Sequence, residues 1–130
     1  MKVIFLDDNE QRQKKMKSML PCIKQTYTAD ETIEAIKDNT EIDYLFLDHD
    51  LGGEIYVDSK EHNTGMTVAK WIAENERNIG MVIIHSFNPV GAKNMYDELV
   101  GKYSVGMCRF LCNEFKVFVD KVNKVREENE

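Results

Sequence analysis

Residues 43–53, DYLFLDHDLGG, constrain the fold more than any other stretch of this chain. Tyr44 to Asp48 is an apolar run that ends in an acid. His49 and Asp50 follow, and Gly52 and Gly53 then turn the backbone. A short run apolar at successive positions fits a strand buried on both faces, as in a parallel sheet. Open α/β folds keep their chemistry where such strands end, at their carboxyl edge.

The pattern recurs along the chain. Residues 2–6 (KVIFL) form a short strand that ends in Asp7 and Asp8. Asn9 caps a helix from Glu10 to Leu20, with Met16, Met19 and Leu20 inward and Pro21 closing it. Residues 23–28 read as a weak edge strand. Asp30 or Thr28 caps a second helix striped by Ile33 and Ile36. Beyond the central strand, Thr64 caps a third helix to about Glu76, with Met66, Ala69, Ile72 and Ala73 inward. Residues 81–84 form another buried strand that ends in His85 and Ser86. Asn88-Pro89 marks a helix start, with Asn at the cap and Pro in the first turn. That helix runs to about Val100, and Gly101 ends it. Residues 105–109 are the last strand. A final helix begins near Asn113 with Phe115, Phe118, Val119, Val122 and Val125 at helical spacing, and 127–130 is a frayed acidic tail. Alternating strands and helices predict a three-layer α/β/α sandwich around a five-stranded parallel sheet. A single domain is expected over 1–130. The polar segment 53–63 exceeds the usual strand-to-helix connection of roughly two to six residues. It is read as a lid or binding loop, against the alternative of a solvated loop.

Composition narrows the function. The formal charge of −6 leaves no basic patch for duplex nucleic acid or an anionic membrane surface. No apolar stretch approaches membrane-spanning length, and the first nine residues lack a signal-peptide pattern, so a cytoplasmic location is expected. Cys22, Cys108 and Cys112 are odd in number and sparse, and read as free thiols. Cys108 and Cys112 are core residues in this reading, because no Cys or His pair stands nearby to complete a metal clip.

Asp7, Asp8, Asp48 and Asp50 each follow an apolar run. Brought together, carboxylates repel unless a cation intervenes. A hard divalent ion with oxygen ligands, Mg²⁺ or Mn²⁺, answers that need, against the alternative of ordinary surface acids. The chain's three histidines, His49, His62 and His85, all follow strands. Each is a candidate acid, base or metal ligand, or else a structural histidine. The helix start at Ser86, Asn88 and Gly91 favours a phosphate at backbone N–H groups, with Gly91 allowing close approach.

The acid pair after strand one, the acid ending strand three and the five βα units resemble the receiver domain of response regulators. The resemblance covers nearly the whole chain and implies a flavodoxin-like topology. It implies that Asp7 and Asp8 hold a divalent cation with Asp48, that Asp48 matches the phosphoacceptor, and that Asp50 contacts the metal through its backbone carbonyl. Ser86 resembles the Ser/Thr that ends strand four, and Thr64-Gly65 the start of helix three. Receivers end strand five in Lys-Pro, whereas this chain has Met107-Cys108-Arg109-Phe110. Lys93, in the first turn of helix four, is a candidate replacement for that lysine, or a solvated surface residue. The run LDD…LDHDLGG…TG…IIHSFNPVGA looks like the cyclic-phosphate-processing receiver-like domains of bacterial and phage conflict systems.

The expected function is metal-dependent hydrolysis of a cyclic phosphate, either a cyclic nucleotide signal or an RNA 2′,3′-cyclic end. Asp48, His49 and His85 are the expected catalytic residues. Asp7, Asp8, Asp48 and Asp50 are the expected metal site. Ser86, Asn88, Gly91, Lys93 and His62 would hold a small phosphate-containing ligand. A receiver phosphorylated on Asp48 and a non-catalytic nucleotide- or protein-binding module are the alternatives. The oligomeric state stays open.

Overall fold

The computed structural model describes residues 1–128. Its elements alternate throughout: β1 Val3–Leu6, α1 Glu10–Met19, β2 Lys24–Thr26, α2 Ala29–Lys37, β3 Ile42–Leu47, α3 Gly65–Glu74, β4 Ile79–Ile84, α4 Pro89–Leu99, β5 Val105–Met107 and α5 Asn113–Glu128. The five strands form one sheet in the order β2-β1-β3-β4-β5, and every pairing is parallel. Each strand therefore returns through a helix, and the helices cover both faces.

Alternation of side chains along the strands sorts the core into two halves. Ile4, Leu6, Leu45, Leu47, Val82 and Ile84 pack with Ile36 of α2, Ile72 of α3 and Leu99 of α4. Val3, Phe5, Phe46 and Ile83 pack with Met16 of α1 and with Phe115, Val119 and Val122 of α5. The chain order reverses direction between β1 and β3, so a crevice opens at their carboxyl ends.

Several boundaries differ from those the sequence suggests. β4 begins at Ile79, earlier than the apolar run, because Ile42 N–H bonds Asn78 O and pulls the preceding segment into the sheet. β5 stops at Met107, and the chain turns at Arg109 towards Cys112. Thr28, not Asp30, caps α2, accepting from Glu31 N–H. Thr64 stands at the start of α3 but its hydroxyl donates to Glu61 O instead of capping. Glu127 and Glu128 belong to α5 and are not frayed, while 129–130 of the expected tail lie outside the described residues. The three cysteines are free, Cys108 buried and Cys22 exposed. Burial pushes the Cys108 thiol up to about 12, which makes it inert.

Candidate functional site

The register of the sheet decides which polar residues meet. Leu6 stands opposite Leu47, Leu47 opposite Ile84, and Ile84 opposite Met107. The ladder continues one step further: Asp48 N–H bonds Leu6 O, His85 N–H bonds Leu47 O and Cys108 N–H bonds Ile84 O. Asp7, Asp48, His85 and Cys108 thus form a row across the strand tips. Asp7, Asp48 and His85 follow Phe5, Phe46 and Ile83 by two residues, so their side chains lean to the α1 and α5 side. One ligand atom from each of Asp7, Asp48 and His85 lies within 4.8 Å of the others.

His85 is almost fully enclosed. Its ring stacks on Phe5 at a centroid distance of 4.7 Å, with Phe46, Phe110 and Phe115 around it. Burial lowers its pKa, so the imidazole is neutral at pH 7. Its Nε2 lies 3.2 Å from Asp7 Oδ2, which assigns the proton to Nε2 and leaves Nδ1 as a bare acceptor with no partner. Asp7 is itself buried. Burial works against its charge, but His85, Arg12 and Asn9 N–H all donate to it and hold it below the usual carboxylate range.

Arg12, a residue the sequence reading did not single out, closes the cluster. It sits in the first turns of α1, four residues after Asp8, and helical side chains lean back towards the N-terminus. Its Nε is 2.8 Å from Asp7 Oδ2, and its Nη2 is 3.7 Å from both Asp8 Oδ1 and Asp48 Oδ2. Its guanidinium also lies 5.7 Å from the Phe87 ring centre. Asp48 Oδ1 accepts from His49 N–H, whereas Oδ2 is buried and makes no hydrogen bond. Burial and the nearby Asp7 push Asp48 up to about 8, and Arg12 offsets this only in part. Asp8, Arg12, Asp48, Asp50, Gly53, Ile55 and Phe87 line a cleft of about 380 Å³ over this cluster.

The loop after β3 folds onto the cleft. Gly52 and Gly53 adopt φ of 77° and 80°, the left-handed turn that glycine takes without strain. Gly53 N–H then reaches Asp8 Oδ2 at 2.6 Å. Asp50 accepts from Tyr56 N–H, Val57 N–H and Asn88 Nδ2 and lies 2.7 Å from His49 Nδ1. These donors outweigh its burial and keep it below the usual carboxylate range.

Several candidate residues stand away from the cation cluster. The Asp50 carboxylate is spent on the loop and organises its backbone, and the contact expected of Asp50 with a metal runs through its backbone carbonyl instead. His49 is fully buried, with one ring nitrogen on Asp50 and the other 2.9 Å from Ser59 Oγ. Gly91 packs against that ring and not against an open phosphate seat: a Cβ there would lie 2.4 Å from His49 Cγ. Asn88 caps α4 through Oδ1 to Gly91 N–H and spends Nδ2 on Asp50. Ser86 sits one step past the row, and its Oγ accepts from Asn88 N–H. His62 is exposed and pairs with Asp30 near the start of α2. Lys93 is exposed and pairs with Asp97 one turn along α4.

A family model described as the cyclic-phosphate processing receiver domain matches residues 2–101. The chain belongs to this family. Solved receivers share its fold. The signal receiver domain of a LuxO repressor protein from Vibrio parahaemolyticus is 17% identical, with 97% of this chain and 86% of that one covered at a TM-score of 0.65. The N-terminal domain of a response regulator/sensory box/GGDEF protein from Carboxydothermus hydrogenoformans is 12% identical, with 99% and 98% covered and the same TM-score of 0.65. The BeF3-activated DrrB receiver domain from Thermotoga maritima is 14% identical, with 97% of each chain covered at 0.62. Among curated proteins none matches significantly.

The donor set fits a divalent cation. Asp7, Asp8 and Asp48 offer hard oxygen atoms, and Asp48 Oδ2 is a buried acceptor with no hydrogen bond. Among the described residues no helix is long and apolar enough to cross a membrane.

Proposed function

We propose that this receiver-like domain hydrolyses a cyclic phosphate, a cyclic nucleotide or an RNA 2′,3′-cyclic end, with Mg²⁺ or Mn²⁺ bound at the strand tips. The observation that carries the reading is Asp48 Oδ2, buried and unbonded, in a residue that lines a cleft with Asp8 and Arg12. Asp8 and Asp48, with Asp7, would hold the ion. A bound divalent ion lowers the pKa of a coordinated water and offsets phosphate charge.

The chain's own residues bind and position. Among the described residues Arg12 is the one basic residue lining the cleft, and a guanidinium matches the planar spread of phosphate oxygens. Asp7 holds Arg12 through Nε, and His85 holds Asp7 from below. His85 is a positioning residue in this reading, since its ring is sealed among aromatic rings and never faces the cleft. His49 acts through Asp50 and Ser59, which shape the loop covering the cleft. In this reading both histidines position other groups and do not move protons.

The test is a panel of cyclic nucleotides and 2′,3′-cyclic phosphates, incubated with Mg²⁺ or Mn²⁺ and resolved by chromatography. Ring-opened monoester should accumulate with at least one class. Intact substrate across the panel, with saturable binding, would make the domain a sequestering module instead.

A second reading is a receiver phosphorylated on Asp48. Its support is the fold and the place of Asp48 in the row of strand tips. Cys108 stands at the β5 tip, so that row holds no lysine to grip a phosphoryl group. Acetyl phosphate with Mg²⁺ should accordingly leave Asp48 unlabelled by mass spectrometry. Near-stoichiometric labelling, lost in Asp48→Asn, would favour signalling.

A further inference from the structure

We propose that Arg12 is an internal counterion seated where the divalent cation binds, and that the ion and the guanidinium exchange places. The inference rests on the reading that the acid cluster holds a divalent cation, and it adds how that site is regulated.

The geometry is that of a charge standing in for another. Arg12 touches Asp7 at 2.8 Å, but its Nη2 stays 3.7 Å from both Asp8 Oδ1 and Asp48 Oδ2. Those two separations exceed the roughly 3.2 Å limit of an N–H···O hydrogen bond. The guanidinium therefore neutralises the cluster without bonding to two of its three acids. Asp48 lines the cleft with a side chain only 6% exposed, and its Oδ2 is buried and unbonded. A small ion with oxygen bonds of about 2.0–2.2 Å would satisfy both acids where the broader guanidinium cannot.

Arginine cannot give up its proton to make way. It has to move bodily, and the structure offers a destination. Phe87 is 48% exposed at the cleft mouth, and the guanidinium already lies 5.7 Å from its ring centre. A turn onto that ring keeps a cation–π contact and points the planar fork outward. The displaced charge would then meet the oxygens of an incoming phosphate. The acid cluster would thus bind phosphate only after taking up metal, because Arg12 is spent on the acids until then.

Calorimetric titration with Mn²⁺ tests the exchange without any turnover. Arg12→Gln should bind Mn²⁺ more tightly than the wild-type chain, by about 5- to 150-fold, the usual range of site-to-site coupling. Lys102→Gln removes the same charge from an exposed position at the opposite end of the sheet and should change affinity less than about twofold. Equal or weaker binding by Arg12→Gln would overturn the proposal and leave the metal site standing. So would an equal gain in Lys102→Gln. No Mn²⁺ bound by either chain would remove the metal reading and the exchange together.

A second measurement holds if Arg12→Gln folds poorly. Phe87→Ala leaves every acid in place but removes the seat of the displaced guanidinium, so it should bind Mn²⁺ no more tightly than the wild type. Inorganic phosphate should bind the Mn²⁺-loaded wild type, and should bind the loaded Phe87→Ala chain about tenfold more weakly. Phosphate affinity unaffected by Mn²⁺, or by the loss of Phe87, would contradict the exchange.

Discussion

Asp48 carries one consequence that can be measured without any substrate. Its ordinary pKa is 3.8, and burial with Asp7 nearby pushes it up to about 8 in the folded chain. Between those values the folded chain keeps a proton that the unfolded chain has lost. Stability from this group therefore falls as pH rises from about 4 to 8 and levels off above. Without metal, Asp48→Asn should flatten that slope and raise stability at pH 8 by about 1–3 kcal/mol, read from urea melts. An unchanged slope would mean that Asp48 is not held in this state. His85 makes a contrasting case. Removing it leaves a cavity among Phe5, Phe46, Phe110 and Phe115 and strips a donor from buried Asp7. His85→Ala should cost about 2–4 kcal/mol of stability, where an exposed proton shuttle would cost little. The residue types of this cluster were legible in the sequence, because acids and histidines stood directly after apolar runs. The roles were not. Burial, register and ring stacking depend on which strands become neighbours, and β1 and β4 meet β3 only through long-range pairing.

At the scale of elements, the loop after β3 and the start of α4 form one unit. Asn88 caps α4 and holds Asp50, Asp50 holds Tyr56 and Val57, and His49 fills the space beneath Gly91. Gly91→Ala should force α4 off the His49 ring and cost about 1–3 kcal/mol, with exchange of the α4 amides speeding up first. Slower or unchanged exchange would separate the helix from the loop. The helix start at Asn88-Pro89 was plain from cap chemistry alone. The purpose of Gly91 was not, because a close approach to a phosphate and a close approach to a ring demand the same missing Cβ. The length of 53–63 marked it as unusual, yet its anchoring depends on Asp8, Ser59 and Asn94, whose side chains reach it from elsewhere in the chain or along it. Arg12 escaped notice for a similar reason. Its spacing from Asp8 is a common helical ion pair, and only the fold adds Asp7, Asp48 and Phe87 around it.

For the whole molecule, the alternation of strands and helices was enough to read a parallel sheet with covered faces, and the strand order then places β1 and β3 side by side. That adjacency concentrates acids at one edge of a chain whose formal charge is already −6. A cyclic phosphate diester is an anion and would be repelled from such an edge unless cations sit there. Any ion that binds the folded chain alone also stabilises it by mass action, by about 2.7 kcal/mol at a hundred times its dissociation constant. The melting temperature should therefore rise with Mn²⁺ and return with EDTA. The central claim, hydrolysis at a metal held by Asp7, Asp8 and Asp48, is tested most directly by one assay: cleavage of the cyclic phosphate panel, by the wild-type chain and Asp48→Asn, with Mn²⁺ and with EDTA. Ring-opened product from the wild type with Mn²⁺, lost in EDTA and reduced at least about hundredfold in Asp48→Asn, is the expected result; undiminished cleavage in EDTA or by Asp48→Asn would contradict it.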